Sequence, residues 1–408
     1  MSAVPESVVE PPDLVPLIPR DGTPRPLTST ADLARLCRLL TEGTGPVAID
    51  AERASGYRYS QRAYLVQIRR HGAGTALIDP IELPDLSRVG EVLAETEWVL
   101  HAANQDLPCL AQLGMLPRRV FDTELAGRLA GFERVGLGAM VEGVLGLHLE
   151  KGHSSADWST RPLPESWLTY AALDVEVLIE LRDALDTDLI AQGKREWATQ
   201  EFAAVVRATP GPPRTDPWRR TSGIHKLRSR RQLAAVRELW GTRDEIARRR
   251  DIAPGRILPD AAIIAAATAD PPTAADLQTL RVFAGRANRR LTATWFAAVQ
   301  RARTLPAELL PPISLISDAP PPPSRWMDRE PEAAARLTAA RAGLAALSES
   351  VQVPVENLLT PEVVRRLAWE PPVDHGEESV GRVLATAGAR PWQIELTAGL
   401  LSAALDPT

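Results

Sequence analysis

The chain has 408 residues, 44% of them apolar, and a formal net charge of −5. That length predicts two to four domains with ample apolar material for packed cores. Only Cys37 and Cys109 occur, which excludes a disulfide framework and fits a reducing cytoplasm. The first segment, MSAVPESVVEPPDLVPLIPRDGTPRPL, has no basic start, no long apolar run and several prolines. Neither a signal peptide nor a membrane span is expected there. Residues 1–26 read as a disordered or extended lead.

TSTADLARLCRLLTEG follows as an amphipathic helix with Leu33, Leu36, Cys37 and Leu40 on one side. Short apolar strands are predicted near 47–52, 63–69, 74–79 and 98–102. Helices are predicted at 84–95, 105–113, 122–130, 137–146 and 164–192. Strands come early and helices later, so the sheet is expected to be mixed rather than doubly wound. ATPGPPRTDP, at 208–217, reads as a proline-rich linker. Residues 218–303 read as almost wholly helical. APPPPSR, at 319–325, lies in a second linker inclined to polyproline II, and residues 330–405 are again helical. The predicted organisation is an α/β domain at 27–207, a linker at 208–217 and a helical domain at 218–303. A linker at 304–329 and a second helical domain at 330–408 complete it.

The chemistry concentrates in carboxylates at element ends. The strand VAIDAE closes with Asp50 and Glu52. Side chains alternate along a strand, so these two share one face while Val47 and Ile49 take the other. Two carboxylates on one face repel unless a cation lies between them, and hard divalent ions take such oxygen ligands together with substrate phosphates. Asp106 lies five residues after His101, at the end of another predicted strand. Tyr170 and Asp174 are four apart on a helix and share a face, so the phenol can orient a water beside a metal-bound carboxylate. No Cys or His cluster with zinc spacing occurs.

These segments resemble the DEDD superfamily of 3′→5′ exonucleases, in the subclass with tyrosine in the third motif, and within it ribonuclease D. The first motif is IDAE. The second is HAANQDLPCL followed by FDTELAGRLAG, and the third is DWSTRPLPESWLTYAALD. One departure is RASGYRYSQRAYLVQI after Glu52, where three arginines stand in place of a less charged segment. Both helical blocks resemble the HRDC domain. The first carries WRRTSGIHKL and ELWGTRDEIARRRDIAPGRILPDAAI; the second carries VPVENLLTPEVVRRLAWEPP and GARPWQIELTAGLL. The resemblance implies an α/β nuclease domain with a ribonuclease H-like mixed sheet, followed by two all-α HRDC-type domains.

Other residues have plainer readings. Asp122, in a Phe-Asp-Thr string, is read as an N-cap, and His101 as structural. Asp157 and Arg161 are read as a structural or substrate-proximal pair. Gly136, Gly138, Gly143 and Gly146 lack a phosphate-loop spacing and are read as turn and packing positions. Charge is uneven: residues 1–213 carry a balance of −10, residues 214–303 one of +11, and residues 304–408 one of −6. A basic block inside an acidic protein points to a polyanionic partner. Arg228, Arg230 and Arg231 in HKLRSRRQLAAVRELW are the expected nucleic-acid contacts, made through phosphates. Trp218, Trp240 and Trp295 are read as core side chains rather than base-stacking platforms.

The mechanism implied is two-metal phosphodiester hydrolysis with two Mg2+ or Mn2+ ions. Asp50 would bridge both ions, Glu52 and Asp174 would complete one, and Asp106 would hold the other through water. Tyr170 would orient the nucleophile. The resemblance implies RNA with a single-stranded 3′ end as substrate, such as a tRNA precursor, with release of 5′-mononucleotides. A cytoplasmic monomer with no membrane partner is expected. A DNA 3′→5′ exonuclease and a non-catalytic nucleic-acid scaffold are the alternatives.

Overall fold

The structure, a computed structural model, describes residues 15–150, 152–153, 155–209, 211, 214–315 and 319–406. Residues 1–14 of the expected lead lie outside the described residues, as do Pro210, Pro212 and Pro213 of the first linker and 316–318 of the second. The described part of the lead is extended apart from a turn at Arg20–Asp21, where Gly22 N donates to Pro19 O. Its strand β1 (Val15–Pro16) pairs in parallel with β7 (Leu147–His148), and Arg20 forms ion pairs with Glu176 and Glu180.

Helix α1 (Thr30–Glu42) starts where Ser29 accepts a hydrogen bond from the Asp32 N–H at 3.1 Å. Leu33, Leu36, Cys37 and Leu40 are its buried face, as the periodicity predicts. It packs on a five-stranded sheet of order β4-β3-β2-β5-β6. The strands are β2 (Thr44–Arg53), β3 (Ala63–His71), β4 (Gly74–Ile78), β5 (Glu97–Leu100) and β6 (Arg119–Asp122). β2 and β3 pair antiparallel, as do β3 and β4. β2–β5 and β5–β6 are parallel, so the sheet is mixed. β2 is central. Its Val47, Ile49 and Ala51 enter the core under α1, α2 (Ser87–Val92) and α3 (Leu107–Gln112). Its opposite face, carrying Ala48, Asp50 and Glu52, lies towards α6 (Glu165–Glu176) and α7 (Leu178–Ala191), where Ala48 and Val99 meet Val175 and Leu178. α4 (Thr123–Ala130), α5 (Leu137–Met140) and α8 (Arg195–Arg207) complete this part of the chain.

Three local expectations are corrected. β6 is a strand inside a region read as loop and helix start. The helix expected at 137–146 is α5 followed by a wider π turn at Val141–Leu145, closed by Gly146 at φ 66. The single helix expected at 164–192 breaks at Val177 (φ −123, ψ 9) into α6 and α7.

The first helical block is built on α9 (Arg230–Arg250), which opens with a Ser229/Gln232 capping box. α10 (Pro254–Ile257), α11 (Asp260–Ala269), α12 (Ala274–Thr279), α13 (Arg286–Arg289) and α14 (Thr292–Thr304) follow. Trp218 and Trp295 are buried in the core of this block and Trp240 packs against it, in keeping with the core reading. The second block contains α15 (Trp326–Arg329), α16 (Pro331–Val351), α17 (Val355–Leu358), α18 (Pro361–Trp369), α19 (Glu377–Thr386) and α20 (Pro391–Leu405). Trp326 is buried in its core. α20 returns to the nuclease body. Trp392 stacks on Trp197 of α8 with centroids 5.0 Å apart and planes at 14°, and donates through Nε1 to Glu201 at 2.8 Å. Among the described residues, no helix is long and apolar enough to cross a membrane.

Candidate active site

The site lies where central strand β2 meets helix α6. Asp50 and Glu52 leave the same face of β2, and α6 brings Asp174 over them. Carboxylate oxygens of Asp50, Glu52 and Asp174 all lie within 4.8 Å of one another. This is the one such group of potential ligands among the described residues. Tyr170, one helical turn before Asp174, lies beside it, and both line a cavity of ≈ 440 Å³ with Asp50, Glu52 and Asp106. All five sequence-predicted residues are therefore brought together.

Asp106 reaches the cluster through a built turn. After β5, Ala102 takes the left-handed conformation (φ 59), which is uncommon for a residue with a side chain. Asp122 holds it there, accepting from the N–H groups of Ala102 (3.1 Å) and Ala103 (2.8 Å) while also capping α4 through Glu124 N and Leu125 N. Asp122 is thus the expected N-cap and, in addition, the brace of the second motif. His101 is half-buried, and its Nδ1 lies 2.9 Å from Thr123 Oγ1. Burial lowers its pKa to about 4, so the ring is neutral, in line with a structural role.

The carboxylates are costly to leave without a cation. Burial, then repulsion from Asp50, Asp174 and Asp106, raises Glu52 well above the usual range. Burial and the Asp50 charge do the same to Asp174. Asp106 is pushed up to about 9 by burial and then by Asp50, and burial also raises Asp50. Mutual repulsion of this kind is what a bound cation relieves. The donors are hard oxygens without sulfur or imidazole, so they fit magnesium-like ions rather than zinc. Tyr170 is held up by burial and by the Asp174 charge, so its phenol keeps its proton.

The third motif packs the phenol. His153 lies edge-on to Tyr170 at 5.9 Å, and Trp158 lies 6.4 Å away. A Cβ on Gly152 would stand 3.1 Å from the Tyr170 ring, so that position favours glycine. The expected Asp157–Arg161 pair is not formed. Arg161 instead clasps Asp79 with both carboxylate oxygens, at 2.7 and 2.8 Å, and Asp157 bonds to Ser159. Asp79 is the buried partner, and a planar fork suits it better than a neighbour four residues away on a turn.

Two features were not singled out from sequence. Arg53 places Nη2 3.6 Å from Asp106 and is the one cation that offsets the carboxylates from within the cavity lining. Its position directly after Glu52, among the unusual arginines, was the available signal. The second is the preoccupation of the expected RNA contacts. Arg230 donates to the carbonyls of Leu310 and Pro311, and Arg231 to those of Ala302 and Leu305. Arg230 thus ties α9 to the segment after α14, Arg231 ties it to the last turn of α14 and to Leu305, and Arg228 donates to His225 O. Arg281, Arg286, Arg289 and Arg290 are exposed and form no ion pair among the described residues.

A mixed sheet with this carboxylate cluster, closed by a helix-borne phenol, defines a metal-dependent 3′→5′ exonuclease with helical domains appended. A family model described as 3′-5′ exonuclease matches residues 24–190. An HRDC domain model matches 232–299, and a 3′ to 5′ exonuclease C-terminal domain model matches 319–405. Ribonuclease D of Granulibacter bethesdensis is 34% identical over 362 residues, covering 86% of this chain and 87% of the relative. Ribonuclease D of Escherichia coli K12 is 30% identical over 300 residues, covering 72% and 79%. A crystal structure of a protein from Bifidobacterium adolescentis is 38% identical and superposes with a TM-score of 0.89 over 96% of this chain and all of that one. The structure of Escherichia coli RNase D, described as an exoribonuclease involved in structured RNA processing, superposes with a TM-score of 0.67 at 26% identity, covering 94% and 98%. The chain belongs to the ribonuclease D family and is a 3′→5′ exoribonuclease.

Proposed function

We propose that Asp50, Glu52, Asp106, Tyr170 and Asp174 are the catalytic residues, and that the four carboxylates hold two divalent cations, Mg2+ or Mn2+. Such ions, when bound, supply Lewis acidity at the phosphoryl oxygens and lower the pKa of water. The protein supplies the rest. The carboxylates arrive preorganised on β2, on α6 and at the start of α3, so little rearrangement is needed. Tyr170 keeps its proton and directs it towards Asp174, leaving the phenol oxygen free to accept from the attacking water and aim it at phosphorus. Water adds its oxygen to the terminal phosphate, the 3′ oxygen leaves with a proton, and a 5′-mononucleotide is released.

The substrate we propose is RNA with a single-stranded 3′ end, trimmed in tRNA or other stable-RNA maturation by a cytoplasmic monomer. Phosphate contacts would come from the basic block, through Arg228 and the unpaired arginines at 281–290 more than through Arg230 and Arg231. The observation that carries the catalytic assignment is the convergence of Asp50, Glu52 and Asp174 within 4.8 Å beside a phenol. A time course on a 3′-labelled, tailed RNA with Mg2+ or EDTA, beside a DNA oligonucleotide of the same sequence, tests it. Metal-dependent release of labelled 5′-monophosphate from RNA is expected. Binding without turnover would leave only a scaffold, and faster hydrolysis of the DNA would reassign the substrate.

A further inference from the structure

The loop of residues 54–62 leaves β2 two residues after Glu52 and returns into β3. It is held on two sides. Towards the third motif, Arg58 Nε donates to Ser159 Oγ at 2.7 Å. On the other side its partners all come from the HRDC domain, nearly two hundred residues further along the chain. Ala253 N donates to Tyr57 O at 2.9 Å. Arg256 Nε donates to Gly56 O at 2.8 Å, with its Cζ 4.0 Å from the Tyr57 ring centroid. Asp251 accepts from Ser60 N at 2.9 Å and from the Tyr64 hydroxyl at 3.4 Å. Asp244 accepts from the Tyr59 hydroxyl at 3.1 and 3.2 Å.

The seam is built on the HRDC side. Asp251 caps α9 in the left-handed conformation at φ 48, which a non-glycine residue adopts at some energetic cost, and that conformation accompanies a carboxylate bonded to the loop. On the nuclease side, Ser55 and Gly56 line a ≈ 260 Å³ cavity together with Glu52 and Arg53. The contacts of Arg256 therefore end on the wall of a space that includes a proposed catalytic carboxylate.

We propose that the HRDC domain is a positioning part of the nuclease site: Asp244, Asp251 and Arg256 seat the 54–62 loop and, through it, the Glu52–Arg53 edge of the substrate path. The inference rests on the assignment of Glu52 to the catalytic site. It differs from simple tethering of RNA by a basic domain. A tether acts on affinity for long RNA, whereas a seat acts on the chemical step for any substrate.

The test uses the full chain and a ribodinucleotide with one scissile bond. Replacing Asp244 and Arg256 together by Ala removes one charge of each sign, so the net charge of the domain is kept while the seat is lost. On the dinucleotide, kcat is expected to fall by about 10–100-fold with KM little changed, the scale of a misplacement of roughly an ångström. The conservative pair, Asp244→Asn with Arg256→Lys, keeps an acceptor for Tyr59 and a donor for Gly56 and should restore most of the rate. Tyr59→Phe, which removes a single hydroxyl from the nuclease side, should give a smaller loss in the same direction. Faster amide hydrogen exchange at Ser60 and Ala253 in the double Ala variant should accompany the loss. A parental kcat in that variant, or a loss confined to KM on long RNA, overturns the proposal. No hydrolysis of the dinucleotide by the parent chain, with or without Mg2+, would instead count against the catalytic assignment itself.

Discussion

Asp106→Asn should make the metal-free protein more stable while it disables the enzyme. Asp106 is 5% exposed, and its carboxyl is moved from an ordinary 3.8 to about 9 by burial and by Asp50. A carboxyl whose folded-state pKa exceeds its unfolded one binds more protons when folded. Its penalty is absent below the unfolded value and grows as pH rises towards the folded one. Between the ordinary value and neutral pH lie about three pH units at about 1.4 kcal/mol each, a ceiling of about 4 kcal/mol. Asp50 carries part of that same repulsion, so removing one member should recover about 2 kcal/mol. The Asp106 carboxyl is hydrogen-bonded to Asp50; Asn keeps the shape and can donate to Asp50 in its place. In EDTA near neutral pH, the melting temperature of the nuclease domain (27–207) should rise by about 4–8 °C. The advantage should shrink as pH falls towards about 4.5, where the parental carboxyl is increasingly protonated in both states. Saturating Mg2+ should reverse the order, because a ligand present at a hundredfold its Kd adds about 2.7 kcal/mol to a protein that binds it, and the variant has lost a ligand. Calorimetry over a pH series, with EDTA and with Mg2+, reads all of this. A variant that melts with the parent in EDTA, or whose difference from the parent ignores pH, would refute the reasoning.

Asp50→Ala or Asp174→Ala should abolish hydrolysis yet leave RNA binding largely intact by fluorescence anisotropy; near-normal turnover in either would sink the site assignment. Tyr170→Phe should slow single-turnover hydrolysis by about 10²–10⁴-fold, the scale of a positioned acid–base group, with metal affinity kept; loss of metal binding with a normal rate at saturating metal would contradict the role given to the phenol. Reversing Arg286, Arg289 and Arg290 to Glu should flatten the dependence of log affinity on log salt by roughly 0.7 per lost phosphate contact, whereas reversing Arg230 and Arg231 should lower the melting temperature because their carbonyl ties are lost. Equal salt slopes before and after the first change would mark that face as merely solvated.

What was legible in the sequence was local. Asp50 and Glu52 share a strand face, Tyr170 and Asp174 a helix face, and the buried side of α1 follows directly from residue spacing. Even the N-cap role of Asp122 could be read from a Phe-Asp-Thr string. What was not legible depends on partners distant along the chain. Arg161 finds Asp79 rather than Asp157, across 82 residues. Arg230 and Arg231 satisfy carbonyls more than seventy residues away, so two positive charges that looked free for phosphate already have work in the fold. β6 carries no strand signal of its own because Arg-Val-Phe-Asp is only four residues long and runs straight into α4. It is identified by its parallel partner β5, not by its own alternation. The break at Val177 lies within an apolar run whose helical period continues on both sides.

The return of α20 to α8 has a consequence for the chain as an object. The nuclease body is gripped twice, once by the HRDC domain at the 54–62 loop and once by Trp392 against Trp197. Covalent continuity holds each grip at the high effective concentration of a short tether, on the order of millimolar. If one grip opens, its surfaces remain neighbours and re-form before the parts can diffuse away. A protease cut between residues 208 and 217 would therefore sever the polypeptide without separating its pieces. The nicked protein should elute as one particle and come apart only when denaturant releases both grips.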